Sequence, residues 1–157
     1  MEPAPTILAY TYVVAYAHVD DSVQFEQRHT LIVDGQSLGR VPCLAVCEEL
    51  ATGEFMIQHC TEDWEPLGVA AGYKSAREAM DSAARSYHGI ESKWIANRAS
   101  RTEGLAAYQE QVKTESCSFC GRTIFEVTTM VGDAPRICNH CIDTFHEALH
   151  GGQQEQE

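Results

Sequence analysis

A chain of 157 residues with 44% hydrophobic content holds one ordinary domain plus a small second one, and is too apolar for wholesale disorder. Its net charge of −12 is shared: residues 1–112 carry eight basic and sixteen acidic groups, residues 113–157 three and seven, leaving −8 and −4. Neither half offers the basic footprint that phosphates demand, so no nucleic acid is expected as a partner. With no signal-peptide pattern and no membrane-length apolar run, no membrane is expected either, and a cytoplasmic, reducing location is.

The first ninety residues read as strands followed by a helix, an α+β order with an antiparallel sheet packed by one or two helices. Residues 7–17 alternate, with Leu8, Tyr10, Tyr12, Val14 and Tyr16 on one face, and predict one long strand. Residues 30–33 predict a second, ending at the turn signal Asp34-Gly35. Residues 43–49 and 54–60 flank Thr52-Gly53 and predict a hairpin, with Pro42 at its start, where no ladder donor is lost. Ser75 and Glu78 form a capping box, and Ala76, Ala79, Met80, Ala83, Ala84 and Tyr87 follow on one face of a helix over 75–88. Gly89 ends that helix, and a less regular one over 91–113 is expected to connect onward, with Trp94, Ile95, Leu105 and Tyr108 as its apolar side. Gly104 weakens its middle. Residues 151–157 form a polar tail, expected to be disordered.

Residues 114–150 carry the strongest signal. Cys117 and Cys120 form one C-x2-C pair, Cys138 and Cys141 another, and seventeen residues separate them. That is the spacing of a four-cysteine structural zinc site. An odd total of seven cysteines and a reducing location argue against disulfides. Residues 125–131 predict a strand, residues 132–135 a turn, and Arg136-Ile137 the return to the second pair, followed by an amphipathic helix over 142–150. Knuckle, hairpin and ligand-bearing helix describe a treble clef. A segment of about 35 residues cannot build a sufficient core alone, so one zinc ion per chain is expected to supply folding energy on the order of 10 kcal/mol.

The run Cys117-Ser118-Phe119-Cys120-Gly121-Arg122, then Glu126-Val127, then Ile137-Cys138-Asn139-His140-Cys141 resembles the zinc-binding domain of the ClpX unfoldase family. The resemblance implies Zn2+ on Cys117, Cys120, Cys138 and Cys141, a treble clef, and a unit that dimerises and captures protein partners through apolar surface. Phe119, Ile124, Phe125, Val127 and Ile142 are the residues that would present such a surface here. Two departures limit what carries over. The module lies behind an unrecognised α+β domain rather than ahead of an ATPase, and no G-x-x-x-x-G-K-[ST] motif is present to hold a nucleotide. The gap between cysteine pairs is also about one residue shorter than in that family.

No catalytic constellation stands out, and the protein is not expected to be an enzyme. Cys43 and Cys47 share a strand face, whereas adjacent His59 and Cys60 point oppositely; all are read as core residues rather than a second metal site. His140, His146 and His150 read as surface histidines, and His18, Asp20 and Asp21 as a solvated turn. Trp64, set among Glu62, Asp63 and Glu65, is expected to be buried under the helix. The function expected is that of an adaptor or regulator binding protein partners, itself included. The alternative is an N-terminal domain that is a small-ligand binder or enzyme, with the zinc finger as an accessory; a deep pocket lined by Cys43, Cys47, His59 or tyrosines would favour it.

Overall fold

The computed structural model describes residues 2–28, 31–33 and 35–151, which divide into an N-terminal unit within residues 1–108 and a C-terminal unit within 109–157. The predicted first strand is two strands. β1 (Ile7–Leu8) folds back on β2 (Thr11–His18) through Ala9 and Tyr10, whose φ angles of 46° and 62° are those of a two-residue hairpin turn. Nothing in the Ala-Tyr pair announces such a turn, and the alternation runs straight through it.

β3 (Gln24–Phe25), β4 (Ile32–Val33) and β5 (Gln36–Ser37) follow, and β4 and β5 form a small hairpin. Thr30 and Asp34 of the predicted strand and turn lie outside the described residues. The predicted central hairpin is present as β6 (Cys43–Glu48) and β7 (Phe55–Cys60), with Gly53 at φ 74° in the turn. β8 (Pro66–Tyr73) extends the sheet beyond β7. Two glycines, two alanines and an opening proline hide this strand in the sequence.

α1 (Ala76–Ala84) starts where the capping box places it: Ser75 Oγ accepts from the Glu78 amide at 3.1 Å, and Glu78 accepts from the Lys74 amide at 2.7 Å. It stops earlier than predicted, because β9 (Tyr87–His88) pairs with β3. The predicted helix over 91–113 is corrected more heavily. Ile90–Ser92 is a single 3-10 turn, and β10 (Ile95–Ala96) joins the sheet beside β2; only then does α2 (Arg101–Thr114) begin. A second capping box sets that start: the Glu103 carboxylate takes the Ser100 amide at 2.7 Å, and Ser100 Oγ takes the Glu103 amide.

The main sheet is antiparallel and curled, in the order β1-β2-β6-β7-β8, with β10 sharing the β1 edge of β2. Its faces carry two cores. One holds Leu44, Val46, Ile57, Tyr87 and Ile90 with Ala79 and Ala83 of α1. The other holds Val13, Tyr16, Cys43, Ala45, Cys47, Cys60 and Trp64 with Ala4 and Leu8. Trp64 is thus buried, but on the face away from α1: its ring meets Tyr16 and His18 edge-on, and Nε1 donates to the Glu2 carbonyl at 3.3 Å. Where α2 meets the sheet the contact is at Gly104, which packs on the Tyr12 ring, while Leu105 is exposed.

In the C-terminal unit β11 (Met130–Val131) and β12 (Ile137–Cys138) form the hairpin, and α3 (Asn139–His150) follows at once. The strand predicted over 125–131 is confined to its last two residues, because a turn at Ile124 and Phe125, closed by the Glu126 amide on the Thr123 carbonyl, occupies its start. The helix begins three residues earlier than predicted, with Cys138 as its N-cap. Residues 152–157 of the predicted tail lie outside the described residues. No described helix is long and apolar enough to cross a membrane.

Candidate metal centre

The sequence sets the geometry of the two cysteine pairs locally. After Cys120 the chain must turn sharply, and Gly121 does so at φ 75°, its amide donating to the Cys117 carbonyl at 2.9 Å. The Cys117 amide closes the same knuckle on the Arg122 carbonyl at 2.8 Å. Cys138 ends β12 and caps α3, so Cys141 lies one helical turn on, beside the free amides of the helix start.

Knuckle and hairpin are tied by Ser118. Its amide donates to the Arg136 carbonyl at 2.8 Å, and its hydroxyl accepts from the Arg136 amide at 3.0 Å. Glu126 braces the next turn, accepting from the Thr123 amide and hydroxyl, each at 2.9 Å. Asn139 links helix to hairpin through its amide, which donates to the Thr129 carbonyl at 3.0 Å. Ser118 and Glu126 therefore have structural work that their spacing alone did not disclose.

All four sulfurs lie within 4.8 Å of one another, and among the described residues they are the one cluster of three or more metal-ligating side chains. Cys117 Sγ lies 3.8 Å from Cys141 Sγ, and Cys120 Sγ 3.6 Å from Cys138 Sγ. Four sulfurs about 2.3 Å from a tetrahedral zinc stand about 3.8 Å apart, so the ion fits between them. A disulfide needs about 2.05 Å, and no pair is near it.

The electrostatics favour a cation. Burial opposes the Cys117 thiolate, but amides of Cys120, Phe119 and Cys138 outweigh it and hold the thiol at about 6. The Arg122 amide leads in lowering Cys120, and the Arg122 guanidinium lies 3.6 Å from its sulfur. Cys141 is pushed up to about 12 by burial and by the neighbouring sulfurs. The first thiolate forms readily and the last resists, a conflict that a divalent ion at the centre removes. Val127, Met130 and Ile137 pack around the buried Cys117, Cys138 and Cys141, while Cys120 is exposed.

The residues named for a partner surface are distributed unevenly. Phe119 and Phe125 are exposed by 57% and 60%, Ile142 by 39%, and Ile124 is half-buried. Val127 instead packs on the cysteine cluster. Phe145 and Leu149 were not among them, yet they extend the apolar stripe of α3 from Ile142, and the Phe145 ring meets Phe119 edge-on at 5.4 Å. The i, i+3, i+7 spacing of Ile142, Phe145 and Leu149 was the signal for them.

Elsewhere, Cys43, Cys47 and Cys60 are buried free thiols, pushed up by burial to about 11, 12 and 12. Cys43 Sγ lies 3.4 Å from His18 Nδ1, a contact the sequence did not suggest. His59 lies opposite Leu44 in the ladder, on the α1 face. Asp20 pairs with Lys93 at 2.8 Å, and hydrogen bonds from Lys93 and Ser22 hold its carboxyl well below the usual range. His140, His146 and His150 are exposed, and the last two rings lie 4.6 Å apart.

No curated protein and no solved structure matches the chain. The family model of the ClpX C4-type zinc finger matches residues 115–151. Together with four thiols closed to zinc-binding distance, that match makes the C-terminal segment a ClpX-type C4 zinc finger for one structural Zn2+.

Proposed function

We propose that the zinc finger is a protein-interaction module, and that the protein acts as a non-enzymatic adaptor or regulator that pairs with itself or with protein segments. The observation that carries this reading is the outer face of α3. Only Cys141 of the helix is buried, while Ile142, Phe145 and Leu149 stand 39%, 43% and 76% exposed beside Phe119. Contiguous exposed apolar side chains on a soluble-sized unit mark an interaction surface. Phe125 and Ile124 on the neighbouring turn offer a flank to the same kind of contact. Zinc fixes the helix against the knuckle, and with four thiolate ligands its coordination is complete, leaving no open position for a reacting water.

The net charge of −12 favours partners with basic flanks and disfavours nucleic acid, nucleotides and anionic membranes. The test is Phe145→Glu with Leu149→Glu in the zinc-loaded full chain. Sedimentation equilibrium reads self-association, and binding to a permanently unfolded casein reads capture of protein segments. Zinc content stays at one per chain while both association signals fall by tenfold or more. Retention of both signals in the double variant overturns the proposal.

A further inference from the structure

On the α1 face of the sheet, in the N-terminal unit, lies a cleft of about 300 Å³. That volume is at the lower end of small-molecule sites, and is about ten times a water molecule's share of the liquid. Residues facing one another across it are small: Ala70 on β8 and Ala83 on α1, with Gly39 beyond the β4–β5 hairpin. A leucine at either alanine would fill the gap as ordinary cores do. Leu31 and Leu38 flank the opening, and Leu31 is seated so closely on β8 that a Cβ at Gly68 would lie 2.8 Å from its Cδ2.

The polar groups of the cleft are few. Tyr73 and Ser82 share a hydroxyl–hydroxyl hydrogen bond of 3.0 Å. The His59 ring lines the cleft four residues further along β7 than Phe55, the ladder partner of Tyr73, and its Nδ1 is buried with no hydrogen-bond partner among the described residues. Tyr87, 6.3 Å from the His59 ring, takes the Val41 amide on its hydroxyl at 3.4 Å and keeps a proton to donate. No charged side chain lines the cleft among the described residues. Burial lowers the His59 pKa, so the imidazole is neutral at pH 7 and the site carries no net charge.

We propose that this cleft binds a small uncharged molecule with an apolar body of about one ring and a single hydroxyl group that meets His59 Nδ1. An ionised ligand finds no counter-charge there, and a helix or strand of a partner does not fit the volume. A purely apolar molecule fills the space but leaves His59 Nδ1 unmet. The site is independent of the zinc finger, since every residue that forms it lies before residue 108.

The experiment is an amide chemical-shift titration of the zinc-loaded full chain with two probes, para-cresol and toluene. Saturable shifts confined to β7, β8 and α1 are expected, with para-cresol binding about three- to tenfold tighter than toluene because of one net hydrogen bond. Ala83→Phe fills the cleft and removes the shifts, and Ala70→Leu does the same from the opposite wall should the first variant not fold. His59→Phe reduces the preference for para-cresol. Absence of saturable shifts in the wild type, equal affinity for the two probes, or shifts that survive in a folded cleft-filling variant overturns the proposal.

Discussion

Cys138→Ser tests how much of the C-terminal unit the metal holds. Cys138 is fully buried, ends β12, caps α3 and donates its amide to Cys117 Sγ at 3.4 Å. Its loss therefore strikes hairpin, helix and knuckle together. What remains without the ion is a cluster of thiols with Val127, Met130 and Ile137 packed around it, each only partly buried. Half-burial of such side chains contributes about 1 kcal/mol apiece. A structural zinc site contributes about 10–16 kcal/mol of apparent folding free energy. The ion outweighs the apolar core several-fold, so a serine that removes one of four ligands unfolds the unit rather than loosening it.

Amide hydrogen exchange reads the outcome segment by segment. In the zinc-loaded wild type the amides of α3 are protected; in Cys138→Ser, or after chelation, they exchange at the rate of an unfolded chain. Both tryptophans, Trp64 and Trp94, lie in the N-terminal unit, whose two cores contain no zinc ligand. Their fluorescence melting curve therefore stays unchanged. Protection of α3 in the serine variant or in the chelated wild type would refute the argument that metal, not packing, holds this fold.

Four further outcomes follow from the same structure. Gly104→Ala, ordinarily worth about 1 kcal/mol of added helix stability, destabilises here by about 1–3 kcal/mol in denaturant titrations. Its Cβ would lie 2.3 Å from Tyr12 Cδ2, and the Tyr12 hydroxyl, donating to the Ala99 carbonyl at 2.6 Å, keeps the ring from moving aside. Thiol titration with a disulfide reagent separates the seven cysteines: none react in the zinc-loaded protein, four react on chelation, and the remaining three only in denaturant. The N-terminal unit loses stability as pH falls below about 6.5, where the histidines of the unfolded chain take up protons while His59 and His18, lowered chiefly by burial, do not. His59→Asn flattens part of that slope in fluorescence-detected melting. Arg101→Ala frees the Glu48 carboxylate, nearly buried and held at 2.8 Å, and lowers the melting midpoint in the same assay.

Legibility in the sequence tracked the locality of the interaction that fixes each element. The Ser75–Glu78 box, the Thr52-Gly53 hairpin and the two C-x2-C pairs each declare themselves within a few residues, and each stands where it was read. β8 was missed because its partner, not its composition, makes it a strand: Gly68 and Ala70 pair with His59 and Ile57 across the ladder. The break between β1 and β2 was missed because Ala9 and Tyr10 turn without any glycine or asparagine to mark it. The start of α2 was readable, since Ser100 and Glu103 repeat the S-x-x-E pattern, but the apolar residues before it drew the helix ten residues too far forward. The apolar stripe of α3 was also readable, yet its exposure is a tertiary fact: it follows from how little of the small unit there is to cover it.

The same separation of local from tertiary explains why four of seven identical side chains bind metal and three do not. Cys43 and Cys47 share a face four residues apart on β6, which sets their Cα atoms about 13 Å from one another at the rise of a strand. Cys60 stands opposite Cys43 on β7, so it adds a neighbour at one end of that span without closing it. These three thiols sit among Val13, Ala45 and Trp64, and burial above all drives them to about 11 or 12. In the zinc finger the spacing of two residues curls each pair around one point, and the amides freed by the knuckle and the helix start turn toward sulfur, drawing Cys117 to about 6. Affinity for zinc is therefore a property of backbone curvature and exposed amide dipoles as much as of cysteine itself. A C-x2-C pair that is forced straight, by placing it in a strand such as β6, loses the metal while keeping every thiol.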